Sequence, residues 1–314
     1  MPSIPLEWDG YPPAACTGGA VSVGNFDGVH RGHLALIAAA RRQADRLGGP
    51  LVAVTFDPPP FQILHPDRGS PRWPLTTLPQ RADLLHEAGV DHVVILRTAP
   101  ALLALSPEAF FEDVLVRQLG AKAIVEGYDF RFGRGREGTN ALLREFSAKA
   151  DIAFEEVPPF AIACEAVSSS LVRKSIEAGD VRFARELLGR SYTITGQVVE
   201  GAKRGRTIGF PTANLGDVAT LLPLEGVYAV RASVEGRAFP AAANIGPNPT
   251  FGDQARKIEI HLLDFTGDLY GKRVQAAFAM RLRETRPFAS VPALVEQLQH
   301  DVADARRVLE NEVA

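Results

Sequence analysis

Cysteine, methionine and tryptophan are scarce in this chain, with two of each among 314 residues. Cys16 and Cys164 stand far apart and form no C-x-x-C pair, which excludes a disulfide framework and the usual zinc spacings. Long apolar runs are missing too, so no segment is expected to span a bilayer. The opening residues MPSIPLEWDGYPP lack the basic start and apolar core of a secretory signal, and a reducing cytoplasm is the expected location. Positive charge is in slight deficit: 34 Lys and Arg against 37 Asp and Glu leave a net charge of −3. Nucleic acid is therefore not an expected partner. Any phosphate must be recognised locally, by loops, helix N-termini and a few basic side chains.

With 46% hydrophobic and 23% charged residues, the composition leaves little room for long disorder, and the length favours two domains. From Ala20 to about Val157, short β-branched runs alternate with amphipathic helical stretches. The expected strands are Ala20 to Gly24, Leu51 to Phe56, His92 to Leu96, Ala123 to Glu126 and Ile152 to Val157. The expected helices are Leu34 to Leu47, Leu78 to Ala88 and Pro107 to Leu119, the last capped by Ser106. Such alternation reads as a parallel α/β sheet with covered faces. The Pro-rich stretch from Asp57 to Pro74 reads as a long mobile loop at the ligand-binding end of a strand.

Helices are also expected at Leu171 to Ala178 and Val181 to Leu188, after which the character changes at Gly189-Arg190-Ser191. Runs at Thr193 to Val199, Val227 to Val234, Ile258 to Leu263 and Val274 to Leu282, parted by Gly and Pro turns, suggest a small antiparallel barrel. A helix from about Pro292 to Glu312, capped by Ser290, closes the chain. The expected division is residues 1–188 and 189–314.

Three segments of the first part carry chemistry. Ser22 to His33, SVGNFDGVHRGH, runs from a strand through a glycine-bearing turn into a helix, a context that binds anions. Gly24, Gly28 and Gly32 admit close approach, and His30 and His33 lie three apart on one helical turn. A chain-turning role for the glycines, or metal ligation by His30, His33 and Asp27, are the rival readings. Val167 to Arg173, VSSSLVR, offers the hydroxyls of Ser168, Ser169 and Ser170 and the guanidinium of Arg173, although a serine run also makes a plain helix cap. Glu126 to Arg136, EGYDFRFGRGR, is a strand end followed by a Gly- and Arg-rich loop, alternatively a solvated basic loop over two aromatics.

The string GNFDGVHRGH resembles the HxGH signature of nucleotidyltransferases, and specifically the adenylyltransferase module of bifunctional riboflavin kinase/FAD synthetases, prokaryotic type. That resemblance implies a Rossmann-like α/β nucleotidyltransferase domain in which His30 and His33 act on the α-phosphate of ATP. It places Gly24, Phe26, Asp27 and Gly28 at the nucleotide. The serines and Arg173 resemble the family's SSTxIR motif, with Ser170 for Thr and Val172 for Ile. The GxDFRFG-like stretch assigns Asp129 to nucleotide and flavin, and Phe130 and Phe132 to flavin.

In the β half, Gly201 to Asn214, GAKRGRTIGFPTAN, joins a basic Gly-rich loop to a polar turn whose oxygen ligands suit magnesium bridging ATP phosphates. It resembles the riboflavin kinase motif GRTIGFPTAN, and the likeness continues through Asn244-Ile245-Gly246, Pro249-Thr250-Phe251 and Ile258-Glu259-Ile260-His261. The resemblance implies a six-stranded kinase barrel with Gly201, Lys203, Gly205, Thr207, Gly209, Thr212 and Asn214 at ATP. It further puts Thr212 and Asn214 at Mg2+, Asn244 at the flavin and Glu259 as catalytic base. A neutral ribityl hydroxyl needs a proton acceptor, which a carboxylate supplies. Pro59, Glu200 and Asn248 depart from the family pattern, where His, His and Arg are usual. The expected substrates are riboflavin, FMN and ATP. A cytidylyltransferase and a regulatory module without turnover are the competing readings.

Overall fold

A computed structural model describes residues 3–65, 73–201, 204–248 and 253–311. Its contacts divide the chain into two compact units, one running to Ser169 and the other beginning at Ser170 and taking in Trp73–Leu75.

The first unit is built on six parallel strands: β1 (Ile4–Leu6), β2 (Ala20–Val23), β3 (Leu51–Asp57), β4 (His92–Arg97), β5 (Ala123–Gly127) and β6 (Ala153–Val157), in the spatial order β1-β4-β3-β2-β5-β6. Every residue of β2 is buried, as expected of a strand covered on both faces. Strict alternation divides these apolar runs between two cores. Val21, Val23, Val52, Val54, Val94 and Ile124 join Phe110, Phe111 and Leu143 on one side. Ala20, Leu51, Ala53, Val93 and Val125 meet Leu36, Ile37 and Ala40 of helix α1 (Arg31–Leu47) on the other. That helix stops at Gly48, whose φ of 64° gives the left-handed turn that ends many helices.

The expected strands and helices of this unit are all present, with ends shifted by a few residues. Among the features that escaped the sequence are the edge strand β1, the short helix Pro100–Ala104, the helix Asn140–Lys149, and the hairpin of β7 (Ala161–Ile162) and β8 (Glu165–Ala166). The helix from Pro107 winds with i to i+5 bonding over Phe110–Gln118, Ser106 Oγ accepting Ala109 N–H at 3.1 Å as its cap. The Pro-rich stretch after β3 is not wholly a loop, since Pro60–Leu64 forms a short helix; residues 66–72 lie outside the described residues.

In the second unit β9 (Thr193–Val199), β10 (Ala213–Gly216), β11 (Gly226–Val234), β12 (Arg237–Asn248), β13 (Asp253–Leu262) and β14 (Arg273–Arg283) close an antiparallel barrel in the order β10-β13-β12-β11-β14-β9. Tyr228 and Phe278 are fully buried and meet edge to face at 5.2 Å. The C-terminal helix Val291–Asn311 packs on β11, β12 and β14, with Ala305 and Leu309 against Ala229 and Ala279. Arg283 fixes it by a two-pronged contact with buried Asp301, at 2.8 and 2.7 Å.

Candidate active sites

The parallel sheet changes direction between β2 and β5, and its loops open there. These strands pair only at Ala20 with Ala123 and Val21 with Ile124. Beyond that point Val23 N–H donates instead to Glu126 Oε1 at 2.7 Å, and the carboxyl fills the split. Complete burial pushes Glu126 well above its ordinary 4.5, with the Val23 hydrogen bond opposing. The loop after β2 and the loop after β5 therefore leave the sheet at the crevice where open α/β folds receive ligands.

The first of these loops is tightly held. Gly24 ends β2, its N–H bonded to Val54 O at 2.9 Å. Phe26, Gly28 and Val29 all have positive φ, at 47°, 81° and 39°; glycine takes this conformation freely, and the other two are constrained to it by their surroundings. The Phe26 ring is buried and meets His33 edge-on at 5.2 Å. Gly28 N–H donates to Thr76 Oγ1 at 3.1 Å, and Ser169 Oγ donates to Asp27 O at 2.8 Å. Asp27 Oδ1 accepts from Thr76 N at 3.2 Å and from Arg81 Nη2 at 3.4 Å. Desolvation draws Arg81 below its ordinary value, with Asp27 and Asp57 opposing.

His30 is the N-cap of α1. Its Nδ1 accepts His33 N–H at 3.3 Å, while His33 Nδ1 accepts His30 N–H at 3.3 Å. The rings stack with centroids 3.6 Å apart. Because both Nδ1 atoms receive backbone N–H groups, each neutral imidazole carries its proton on Nε2, where it is a donor. Two such donors at the positive end of a helix suit a phosphate group. The same engagement disfavours metal ligation through Nδ1.

Other sequence-derived candidates have varied surroundings. Ser168 and Ser169 are half-buried and Ser170 exposed, at the start of helix Ser169–Glu177. Arg173 is 9% exposed and its Nη1 donates to Trp73 O. Asp129 is exposed just after β5, and Phe130 stacks at 5.6 Å on Phe132, which is itself buried in the core against Phe110. Thr76 and Arg81 went unnoticed in the sequence. An arginine on an amphipathic helix normally reads as solvated surface, and only the fold turns this one inward.

In the barrel, β13 lies between β10 and β12, and Glu259 stands directly opposite Asn214 on one side and Asn244 on the other. Opposed residues share a face of the sheet, so three polar side chains form one row while Ile258 and Ile260 are buried on the other face. Two glycines shape the adjoining loop by close approach. A Cβ at Gly201 would lie 2.2 Å from Asn214 Nδ2, and one at Gly205 2.2 Å from Phe210 O. Phe210 N–H closes this turn onto Gly205 O at 2.8 Å. His261, two residues beyond Glu259, donates from Nδ1 to Pro211 O at 2.7 Å and tethers the segment bearing Thr212 to the Glu259 strand. Thr207, Gly209 and Thr212 are exposed along this segment, as is Glu200 at the end of β9. Lys203 and Pro249-Thr250-Phe251 lie outside the described residues, as does the side chain of Asn248.

A histidine-capped loop on a parallel sheet, and a barrel that lines up a carboxylate with two amides, are features suited to an enzyme that handles phosphates at two places. Residues 13–171 match the family model for FAD synthetase and residues 188–309 the model for riboflavin kinase. A bifunctional riboflavin kinase/FMN adenylyltransferase of Pseudomonas fluorescens is 39% identical over 290 residues, covering 92% of each chain. Its counterpart in Escherichia coli K12 is 37% identical with the same coverage. A crystal structure from Streptococcus pneumoniae, described as a macrolide-efflux protein, is 31% identical and superposes with a TM-score of 0.88 over 98% of this chain and 99% of that one. The chain belongs to the family of bifunctional riboflavin kinase/FMN adenylyltransferases, ATP-dependent enzymes whose substrates are riboflavin, FMN and ATP. Among the described residues, no helix is long and apolar enough to cross a membrane.

Proposed function

We infer that this chain phosphorylates riboflavin with ATP to give FMN, and transfers AMP from ATP onto FMN to give FAD and pyrophosphate. The observation that supports this reading is that each of the two candidate sites lies on the part of the chain that matches the corresponding family model.

For adenylyl transfer, the FMN phosphate is ionised at neutral pH and needs no strong base. Its oxygen forms a bond to the α-phosphorus as the bond to pyrophosphate breaks, so catalysis rests on positioning and charge stabilisation. His30 and His33 donate from Nε2 to the oxygens that gain charge. The backbone of the loop Gly24–Gly28 and the serines 168 and 169 hold the nucleotide, Ser170 and Arg173 are assigned to it by the family motif, and Asp129 with the half-buried Phe130 faces the flavin. Phe26 and Phe132, expected at the nucleotide and the flavin, are buried in the core and would support these residues from behind.

For phosphorylation, the ribityl hydroxyl attacks the γ-phosphorus and Glu259 takes its proton. Asn244 orients the flavin, and the loop from Gly201 to Gly209 covers the nucleotide. Thr212 and Asn214 supply hard neutral oxygens beside a carboxylate, a donor set that fits Mg2+, which would neutralise charge on the phosphates. We assign residues 1–188 to adenylyl transfer and 189–314 to phosphorylation; the riboflavin kinase match beginning at residue 188 supports that division, whereas the compact units part at Ser169 and Ser170 and the FAD synthetase match ends at residue 171. A cytoplasmic location is supported by two free cysteines, with Cys164 exposed.

The test is a time course of purified protein with riboflavin, ATP and magnesium, followed by chromatography. FMN should appear first and FAD after it. FMN alone would confine activity to the barrel, and neither product would sink the reading.

A further inference from the structure

The sequence sets a carboxylate, Asp27, in the middle of the loop that the proposed function assigns to a polyphosphate. Left to itself, that charge repels the ligand. The fold engages it. Asp27 Oδ1 faces Thr76 N at 3.2 Å, Thr76 Oγ1 at 3.4 Å and Arg81 Nη2 at 3.4 Å. Arg81 is only 3% exposed. Its Nη1 reaches Thr55 Oγ1 at 3.3 Å, whose hydroxyl donates to Asn25 O at 3.2 Å, and its Nη2 also reaches Thr76 O at 3.3 Å. Thr76 in turn receives Gly28 N–H. One buried guanidinium thus touches, directly or through one threonine, the loop at Asn25, Asp27 and Gly28.

A buried cation is costly, and an apolar residue of similar volume often serves stability as well or better. Leu85, one turn on along the same helix, faces the core in the ordinary way. A charge retained at Arg81 therefore calls for a role beyond packing. The loop supplies one, because it holds Phe26 and Val29 at positive φ next to a carboxylate that must be neutralised.

We propose that Arg81 is a positioning residue for adenylyl transfer: it neutralises Asp27 and, with Thr76 and Thr55, locks the loop Asn25–Gly28 in the conformation that accepts the phosphates of ATP. Asp27 is then a locking residue and not a metal ligand. The inference rests on the proposed adenylyltransferase reading for its purpose, but the locking itself is a property of the free protein.

The experiment compares wild type, Arg81→Met, Arg81→Lys and Arg81→Met with Asp27→Asn, by FAD formation from supplied FMN and by amide hydrogen exchange of residues 24–30 without ligand. Arg81→Met should raise KM for ATP by about tenfold or more, change kcat by less than about threefold, and accelerate loop exchange. Removing the stranded carboxylate in the double variant should recover most of both effects, and Arg81→Lys should fall between. FMN formation by the same proteins reports that the barrel is folded. Unchanged KM and exchange in both single variants, or a double variant no better than Arg81→Met, would overturn the proposal. Absence of FAD from the wild type would count against the functional reading alone, since the exchange comparison still decides the lock.

Discussion

His30 and His33 cap each other, the Nδ1 atom of each accepting the other's backbone N–H at 3.3 Å. The arrangement copies the capping box of Ser or Thr with Glu or Gln, in which two otherwise unpaired donors of a helix start are satisfied reciprocally. Structure and chemistry share the same two rings here, since capping uses Nδ1 and catalysis is assigned to Nε2.

That sharing can be undone by substitution. Alanine at both positions removes two caps, at about 1 kcal/mol each, together with both donors. His30→Asn with His33→Gln keeps acceptors suited to the cap and to the third helical position but has no Nε2. This pair should unfold within about 1 kcal/mol of wild type while FAD formation falls by about a hundredfold to a thousandfold. Denaturation midpoints and separate assays of FAD and FMN check it. FAD formation near wild-type rates would show that the rings serve only as caps.

Glu259→Gln retains the shape of the row between Asn214 and Asn244 but cannot accept a proton. FMN formation should drop by about two to four orders of magnitude, with FAD formation from supplied FMN unchanged. A drop in both activities by a folded protein would contradict the assignment of Glu259 to one site.

At Gly201 the expectation concerns space. A methyl group there meets the Asn214 amide at 2.2 Å, so Gly201→Ala must displace a side chain assigned to magnesium and ATP. The magnesium concentration for half-maximal FMN formation should rise by about tenfold, with a smaller change in the riboflavin KM. Equal magnesium dependence in the two proteins would remove Asn214 from the metal site.

Glu126 predicts a pH effect. Its value is raised in the folded protein, so the folded state holds the proton more tightly than the unfolded chain. The associated stabilisation is fully present below the ordinary 4.5 and is lost as pH rises through the raised value. Glu126→Gln keeps an acceptor for Val23 N–H and removes the titration. Its melting temperature relative to wild type should therefore climb as pH increases above the ordinary carboxylate range. Parallel curves across that range would contradict the buried, proton-holding carboxyl.

Much of this was legible in the sequence, for identifiable reasons. Strands such as Leu51–Asp57 are continuous apolar runs because both faces are covered, and helix α1 is announced by its stripe and by Gly48. The strand Arg237–Asn248 was hidden because its Pro and its run of alanines have low strand propensity, and it owes its place to partners β11 and β13. The three-residue β1 contains a proline and survives as an edge strand beside β4. At the sites, glycines and histidines carry their pattern along the chain. The contacts that hold them come from Thr76, Arg81 and Thr55, distant in sequence and without a pattern of their own.

The measurement that bears most directly on two separate sites in one chain is a mixing experiment. The His30→Asn/His33→Gln protein and the Glu259→Gln protein are each given riboflavin, ATP and magnesium, alone and then together. The account predicts FMN without FAD from the first, little of either from the second, and FAD accumulating in the mixture as FMN released by one protein is adenylylated by the other. A mixture that makes no more FAD than the separate proteins, although each retains its single activity, would contradict it.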